Sequence, residues 1–322
     1  MPTHGGRMEI FMNFLNIKAK SYLGLFFVVF VWGFAPLITL EFYKYFSPTI
    51  KVCIGEIFSF IAFVIISRKY LKEYNLKYLK LGVLTGLFLA LANITQKIGL
   101  QYTTPAKYAF LENLSCVTVP ILMFFLVKQK PKFTTTLASI VCLVSAFVLN
   151  GISFSSSSWG IGETLCAISG LLYGFNIAFT GVYAKELKTT LYLATQSIVS
   201  IITGGIFSLI LNFTYITDTS GIKHPIEPIK ISFDPMHLLF LALSVLIISS
   251  MCWVIRTNCM KHIDAGIVAT IMPFSAVVTC ILSVLSGKDT LDFNLICGGT
   301  LGMIAIFLSS YDDIFKKRSK FE

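Results

Sequence analysis

Glu112 is an ionisable residue inside a long apolar stretch, residues 104–127. Tyr108 precedes it by one helical turn, Cys116 follows it by one turn, and Asn113 is its neighbour. A helix here would carry a polar stripe on one face. A low-dielectric environment favours the neutral form of a carboxyl group, which suits either proton exchange or the binding of a cationic amine. Glu112, Tyr108 and Asn113 are therefore candidates for a binding or coupling site.

Glu56 lies mid-way along a second apolar stretch and invites the same interpretation. Both glutamates also have a structural alternative. Glu112 could pair with a lysine such as Lys51 or Lys107, and Glu56 could pair with a lysine or with a neighbouring helix. Four basic residues lie nearer the ends of apolar stretches, where a long side chain can reach the aqueous boundary: Lys51, Lys97, Lys107 and Arg256.

Neutral polar residues near the middle of two other apolar stretches form spaced pairs. Asn93 and Gln96 form one pair, and Tyr173 and Asn176 form the other. Residues spaced i, i+3 share a helix face, so each pair presents hydrogen-bonding groups together. The functional interpretation is a lining that binds substrate. The alternative is hydrogen bonding between helices, which contributes about 0.6 kcal/mol on average.

Three aromatic residues could form the wall of a cavity for an aromatic or apolar molecule: Trp32, Tyr173 and Trp253. Aromatic side chains also fill cores and form belts at membrane boundaries. Both interpretations remain open on the sequence alone.

Three prolines lie within apolar stretches: Pro36, Pro120 and Pro273. A proline inside a helix lacks an N–H donor and kinks or loosens the helix. These residues are candidate hinges, and static kinks are the alternative.

The elements that must position these residues are long apolar helices. The chain has 322 residues, 55% hydrophobic and 13% charged, against about 25% charged in soluble domains. Apolar runs of about 20 residues recur, which is the length of a membrane-crossing helix and twice that of a barrel strand. The fold class is all-α, a polytopic membrane protein with ten spans: residues 22–40, 48–67, 78–100, 104–127, 133–150, 160–184, 189–213, 236–258, 264–285 and 291–310.

The basic residues indicate the orientation of these spans. With the N-terminus inside, 19 of the 26 Lys and Arg residues lie in inner segments, six lie in outer segments, and Lys51 lies within a span. Basic residues in short loops stay on the cytoplasmic side. We therefore expect a cell (inner) membrane protein with both termini cytoplasmic. The net charge of +10 is scattered between spans, which argues against nucleic acid as a partner.

The two halves of the chain resemble each other. Residues 104–109 align with 264–269 at an offset of 160, and residues 23–34 align with 164–175 at an offset of 141. Each half then holds five helices, and an odd number forces the second half to insert upside down. The expected organisation is as follows: a cytoplasmic tail at 1–20, a first repeat at 21–150, an extracellular linker at 151–159, a second repeat at 160–310 with an extracellular insertion at 214–235, and a basic cytoplasmic tail at 311–322.

Residues 98–111 together with Val119-Pro120 resemble the G-L-x-Y-T-x-A-x-x-A-F-L … V-P signature of the EamA-like branch of the drug/metabolite transporter superfamily. Trp32-Gly33-Phe34 and its counterpart in the second half are similar to the same family. The resemblance extends over about residues 21–310. It implies a ten-helix secondary carrier of small organic solutes, often an exporter of amino acids or related metabolites.

The sequence contains no P-loop, so ATP is not expected to drive transport directly. An intramembrane enzyme is disfavoured, because none of the four histidines lies in an H-E-x-x-H and no aspartate lies at a span centre. We expect no catalytic residue, no metal and no cofactor, and a small-molecule substrate in a lipid bilayer. Transport would be driven by the substrate's own gradient or by protons, and the protein would be a monomer or homodimer. The alternative is a non-transporting membrane regulator or receptor, since fold does not fix function.

Overall fold

The computed structural model describes residues 4–128, 133–149, 159–217, 223–263 and 265–315. Parts of four expected segments lie outside the described residues: the two cytoplasmic tails, the linker at 151–159 and the insertion at 214–235. Asp264, the first residue of the second aligned segment, also lies outside them.

The regular secondary structure of the described residues is helical apart from one pair of short strands. The α-helices are α1 His4–Phe42, α2 Pro48–Ser67, α3 Leu76–Gly99, α4 Pro105–Glu112, α5 Ser115–Val127, α6 Phe133–Leu149, α7 Ile161–Tyr183, α8 Thr189–Phe213, α9 Pro235–Ser244, α10 Cys252–Cys259, α11 Ala265–Ile271, α12 Phe274–Leu285 and α13 Phe293–Phe315. A 3₁₀ helix, Arg68–Glu73, follows α2, and a π-helical segment, Val245–Met251, joins α9 to α10. Strands β1 Tyr215–Thr217 and β2 Lys223–Pro225 pair antiparallel within the insertion.

Polar side chains cap several of these helices at their first turn. Asn75 accepts a hydrogen bond from the backbone of Lys77 at the start of α3. Thr104 and Asp234 do the same for α4 and α9, and in both helices a proline follows the cap. A capping side chain satisfies one free N–H of the first turn, and proline suits the first helical position because its missing N–H is not needed there.

Seven helical stretches are long and apolar enough to cross a membrane: Ile17–Phe42, Pro48–Glu73, Leu76–Gly99, Pro105–Val127, Ile161–Tyr183, Thr189–Phe213 and Pro235–Cys259. The other three expected spans correspond to shorter described apolar helices, Thr136–Ser145, Phe274–Leu285 and Phe293–Ala305. Large apolar side chains point outward from the bundle, among them Ile65, Phe125 and Phe213, each more than 60% exposed. An outer surface of this kind faces lipid, and the protein is a multi-pass membrane protein.

Two of the expected spans are interrupted near their middle. The first is broken at Asn113 and Leu114, between α4 and α5, and the second is broken at Met272 and Pro273, between α11 and α12. The backbone closes tighter i+3 turns at both places, from Leu114 N to Leu111 O and from Ala276 N to Pro273 O. Each break leaves backbone groups and side chains directed differently from those of a continuous helix.

Two central helices contact both broken spans and hold the bundle together. α1 packs against α10 and α12, while α7 packs against α3, α4 and α5. At the periphery, α2 packs along α8 and α6 packs along α13. A buried cluster joins α1 to the second half of the chain, with Leu25 and Val28 against Cys252 and Val268.

Two glycines allow the central helices to approach the broken spans closely. A Cβ atom on Gly174 of α7 would lie 2.4 Å from Thr118 Cβ of α5. A Cβ atom on Gly33 of α1 would lie 2.4 Å from Val278 Cγ1 of α12. Both distances are far below van der Waals contact, so these positions require glycine for the observed packing.

Candidate functional site

A cavity of about 110 Å³ is lined by residues of α1, α3, α4, α5, α7, α10, α12, the π-helical segment and the two breaks. Eight of the ten residues expected at the site line it: Trp32, Asn93, Gln96, Tyr108, Glu112, Asn113, Tyr173 and Trp253. Lys97, Arg256, Ser275 and Thr279 also line it, and so does Pro36. Its walls therefore combine charged, amide, hydroxyl and aromatic groups from both halves of the chain.

A hydrogen-bond network connects the polar residues of α3, α4 and α7. The Tyr173 hydroxyl donates towards Asn93 Oδ1 at 2.7 Å and Gln96 Oε1 at 2.9 Å. Lys97 Nζ donates to Gln96 Oε1 and to the Tyr108 hydroxyl, both at 3.0 Å. One cation is thus fixed at the wall by two neutral partners.

Glu112 is the last residue of α4, immediately before the first break, and it is half-buried. The groups that act on its carboxylate are Lys97, Gln96 and Arg256. Neither Lys51 nor Lys107, the structural partners considered from the sequence, lines this cavity. Glu112 faces the cavity with two cations near it, although the structure shows no direct ion pair for it among the described residues.

The lysines considered as partners of Glu112 have other contacts. Lys107 Nζ lies 3.7 Å from Glu163 Oε1 of α7, and the Thr103 hydroxyl donates to the same oxygen at 2.8 Å. Lys51 Nζ donates to the Thr39 hydroxyl at 3.3 Å. Each of these lysines therefore joins neighbouring elements outside the cavity.

Arg256, like Lys97, was expected near the end of a span but lines the cavity. We expected it near a span end with its side chain extended to the boundary, but it is only 2% exposed and is the largest fully buried side chain in the described chain. Its guanidinium carbon lies 4.5 Å from the centroid of the Trp253 ring. Position along a span indicates depth but not which neighbours surround a side chain, so only the fold reveals this burial.

Aromatic rings form the wall beside Arg256. The Trp32 and Trp253 centroids are 5.4 Å apart, and Tyr173 and Trp253 are stacked at 6.5 Å. The Trp32 indole N–H donates to Ile248 O, in the π-helical segment, at 2.8 Å. This bond fixes the indole of Trp32, which lines the cavity.

The remaining expected residues lie elsewhere. Glu56 accepts a hydrogen bond from the Ser197 hydroxyl at 2.7 Å, between α2 and α8, and Asn176 Nδ2 donates to Thr85 O at 3.1 Å. Neither belongs to the lining of this cavity. Pro120 lies inside α5, whereas Pro273 lies at the second break.

The electrostatics of the cavity favour an anionic group. Lys97 and Arg256 carry two positive charges, and an ionised Glu112 carries one negative charge. Among the described residues, no group of three or more His, Cys, Asp or Glu side chains could hold a metal ion. The arrangement is suited to binding a small polar or zwitterionic molecule.

Fold and site together define a multi-pass helical membrane protein with a charged, aromatic-walled cavity inside its bundle. The profile of the EamA-like transporter family matches the chain twice, over residues 19–151 and residues 161–311. The chain belongs to this family and is a membrane transporter of the drug/metabolite transporter superfamily.

The fold is similar to solved structures. One crystal structure matches with a TM-score of 0.64 and 12% sequence identity, covering 91% of this chain and 98% of that chain. At this identity the likeness concerns the fold alone. The search of the curated proteins found no match.

Proposed function

We propose that the protein is a secondary transporter, working as an exporter, of a small organic metabolite such as an amino acid or a related compound. The observation that carries the proposal is the charged cavity enclosed between the two matched segments. Lys97 and Glu112 come from the first segment, and Arg256 comes from the second. Movement of one segment against the other would open the site to each side of the membrane in turn.

An inverted arrangement of the two segments is supported by positions that correspond along the chain. Asn113 in the first break and Pro273 in the second are 160 residues apart. Gly33 and Gly174 are 141 residues apart. The residues that an added Cβ atom would meet at these two positions, Val278 and Thr118, are 160 residues apart. Both offsets are those of the internal repeat.

The helix packing supports the same arrangement. In the repeat, α1 corresponds to α7, α12 to α5 and α10 to α3. The contact of α1 with α12 thus has its counterpart in the contact of α7 with α5, and the contact of α1 with α10 in that of α7 with α3. Glu56 and Ser197, which are 141 residues apart, hydrogen bond directly to each other. Corresponding residues meet each other only at a two-fold axis, so we place the axis of the repeat between α2 and α8.

The proposed topology has ten spans, formed by the seven long helices and the three shorter apolar ones. Both termini are cytoplasmic, the membrane is the cell (inner) membrane, and the insertion with β1 and β2 is extracellular. The inner excess of basic residues supports this orientation. A monomer or a homodimer is compatible with the proposal.

Proton coupling through Glu112 is part of the proposal. Glu112 is the acidic member of the charged lining and lies at the end of α4, where the broken span changes direction. A group in this position can bind or release a proton when the cavity changes its exposure.

The test is counterflow in proteoliposomes loaded with a mixed pool of amino acids, amines, nucleosides and sugars, with mass spectrometry of the exchanged species. We expect exchange of one chemical class. Glu112→Gln should retain exchange of that class and lose its accumulation by a pH gradient. Correctly inserted protein that exchanges no class would overturn the transporter proposal and favour a regulator or receptor.

Glu56→Gln is the matched control, because a glutamine oxygen can still accept the hydrogen bond from Ser197. This variant should keep both exchange and pH-driven accumulation. Loss of accumulation in Glu56→Gln but not in Glu112→Gln would move the coupling site to the α2–α8 interface.

A further inference from the structure

Arg256 is a buried cation without a hydrogen-bond partner at two of its nitrogen atoms. In the part of the chain that the structure describes, neither Nε nor Nη1 finds an acceptor, both atoms are buried, and Arg256 lines the cavity. The three ion pairs of the described chain do not include Arg256. A buried guanidinium with free donors is unfavourable, and an anionic ligand that accepts from it would recover much of this cost.

The surroundings of Arg256 do not supply that anion. Among the described residues Glu112 forms no ion pair with Arg256, although both line the same cavity. On its other side the guanidinium lies over the Trp253 ring, which stabilises the charge but accepts no conventional hydrogen bond. Arg256 therefore retains directional donors that the protein itself leaves free.

The charges of the lining limit the ligand to one anionic group. Lys97 already donates to Gln96 and Tyr108, and an ionised Glu112 balances one of the two cations. One positive charge then remains, which matches one carboxylate and is too little for a phosphate monoester. The planar guanidinium also presents paired donors that fit the two oxygens of a carboxylate.

We propose that Arg256 binds the carboxylate of the transported substrate, so that the substrate is a small organic acid or amino acid. This inference rests on the transporter function proposed above. Trp32 and Trp253 lie beside the bound carboxylate and contact the rest of the molecule. Neutral sugars, nucleosides and amines that lack a carboxyl group are excluded as preferred substrates.

The test measures binding separately from transport. Purified protein is titrated with matched sets of compounds, for example phenylalanine, phenylalaninamide, phenethylamine and 3-phenylpropionate, and with the corresponding set for alanine. The readouts are tryptophan fluorescence and the ligand-dependent rise in melting temperature. We expect carboxylates to bind and their amides and decarboxylated amines to bind at least about tenfold more weakly.

Arg256→Gln should weaken carboxylate binding by about 10- to 100-fold and leave weak binding of the amides unchanged. Arg256→Lys keeps the charge but loses the planar donors, so its affinity should lie between those of the wild type and Arg256→Gln. A purely structural role predicts the opposite pattern: a fall in melting temperature without ligand and no change in selectivity. If Arg256→Gln does not fold, the wild-type series and Arg256→Lys decide.

The outcomes separate this inference from the proposed function. Carboxylate-selective binding without counterflow would retain Arg256 as a carboxylate site and refute transport. Counterflow of amines, sugars or nucleosides with unchanged kinetics in Arg256→Gln would retain the transporter and overturn the inference. Equal binding of carboxylates and their amides would also overturn it.

Discussion

Gly174→Ala should loosen the contact between the central helix α7 and the broken span at α5. The added Cβ would lie 2.4 Å from Thr118 Cβ, 2.9 Å from its Cγ2 and 3.1 Å from its Oγ1. Carbon atoms in contact normally lie about 3.5–4.0 Å apart, so the helices must separate locally by about 1 Å. Overpacking of this kind costs about 1–3 kcal/mol.

Gly205→Ala in α8 is the matched control, because a Cβ there meets no atom within 4 Å. Both variants gain the same helix preference of alanine over glycine, up to about 1 kcal/mol. The difference between them therefore isolates the steric cost. We expect Gly174→Ala to unfold with a free energy about 1–3 kcal/mol below that of Gly205→Ala.

Equilibrium unfolding in detergent micelles measures this difference. Gly33→Ala should give a loss of similar size, since its Cβ would meet Val278 at 2.4 Å. Adding Thr118→Gly to Gly174→Ala removes the opposing side chain and should restore part of the lost stability. Adding Thr118→Gly to Gly33→Ala should restore none of the stability that Gly33→Ala loses. Equal stability of Gly174→Ala and Gly205→Ala would refute the close packing of α5 and α7.

Two further predictions concern the ends of the bundle. Glu227 of the insertion accepts hydrogen bonds from Thr49 N at 2.9 Å and Thr49 Oγ1 at 2.7 Å, at the first turn of α2. Glu227→Ala should lower the free energy of unfolding by about 2–3 kcal/mol, and Glu227→Gln should lower it by less. An equal loss in the two variants would contradict a role for the acceptor oxygen. Glu186 lies on the loop after α7, and the hydrogen bond from Lys77 at 2.6 Å lowers its pKa. The pair therefore stabilises the fold at a pH above the ordinary carboxyl pKa. This stabilisation is lost as the pH falls through the lowered pKa of Glu186. Because both side chains are more than half exposed, salt screens the pair, so Glu186→Gln should lower the melting temperature at neutral pH and physiological salt only slightly in a thermal scan. A large drop would show that the pair is not screened.

Two residues of α7 that look equivalent in the sequence differ in whether they line the cavity. Tyr173 and Asn176 are spaced i, i+3, yet Tyr173 reaches Asn93 and Gln96 whereas Asn176 reaches Thr85 O. Three residues advance a helix by about 300°, so such a pair differs by about 60° in direction. In a closely packed bundle that difference decides whether a side chain meets a cavity or the neighbouring helix.

The class of the fold and most of the candidate residues that line the cavity follow from the amino-acid sequence alone. Long runs of apolar residues dictate membrane helices, because hydrocarbon leaves the backbone no other way to satisfy its hydrogen bonds. The internal repeat and the family signature also follow from the order of residues alone. Glu112 stands out because a charge in such a run is costly.

Which charged residues share the cavity depends on how the helices pack together. Lys97 and Arg256 looked like residues near span ends, but the packing of α3 against α7 and of α10 against α1 brings them to the same cavity as Glu112. Helix periodicity fixes the face on which a side chain lies, while the rotation of each helix about its axis depends on all of its neighbours. The burial of Arg256 arises from that rotation, which no single segment of the sequence specifies.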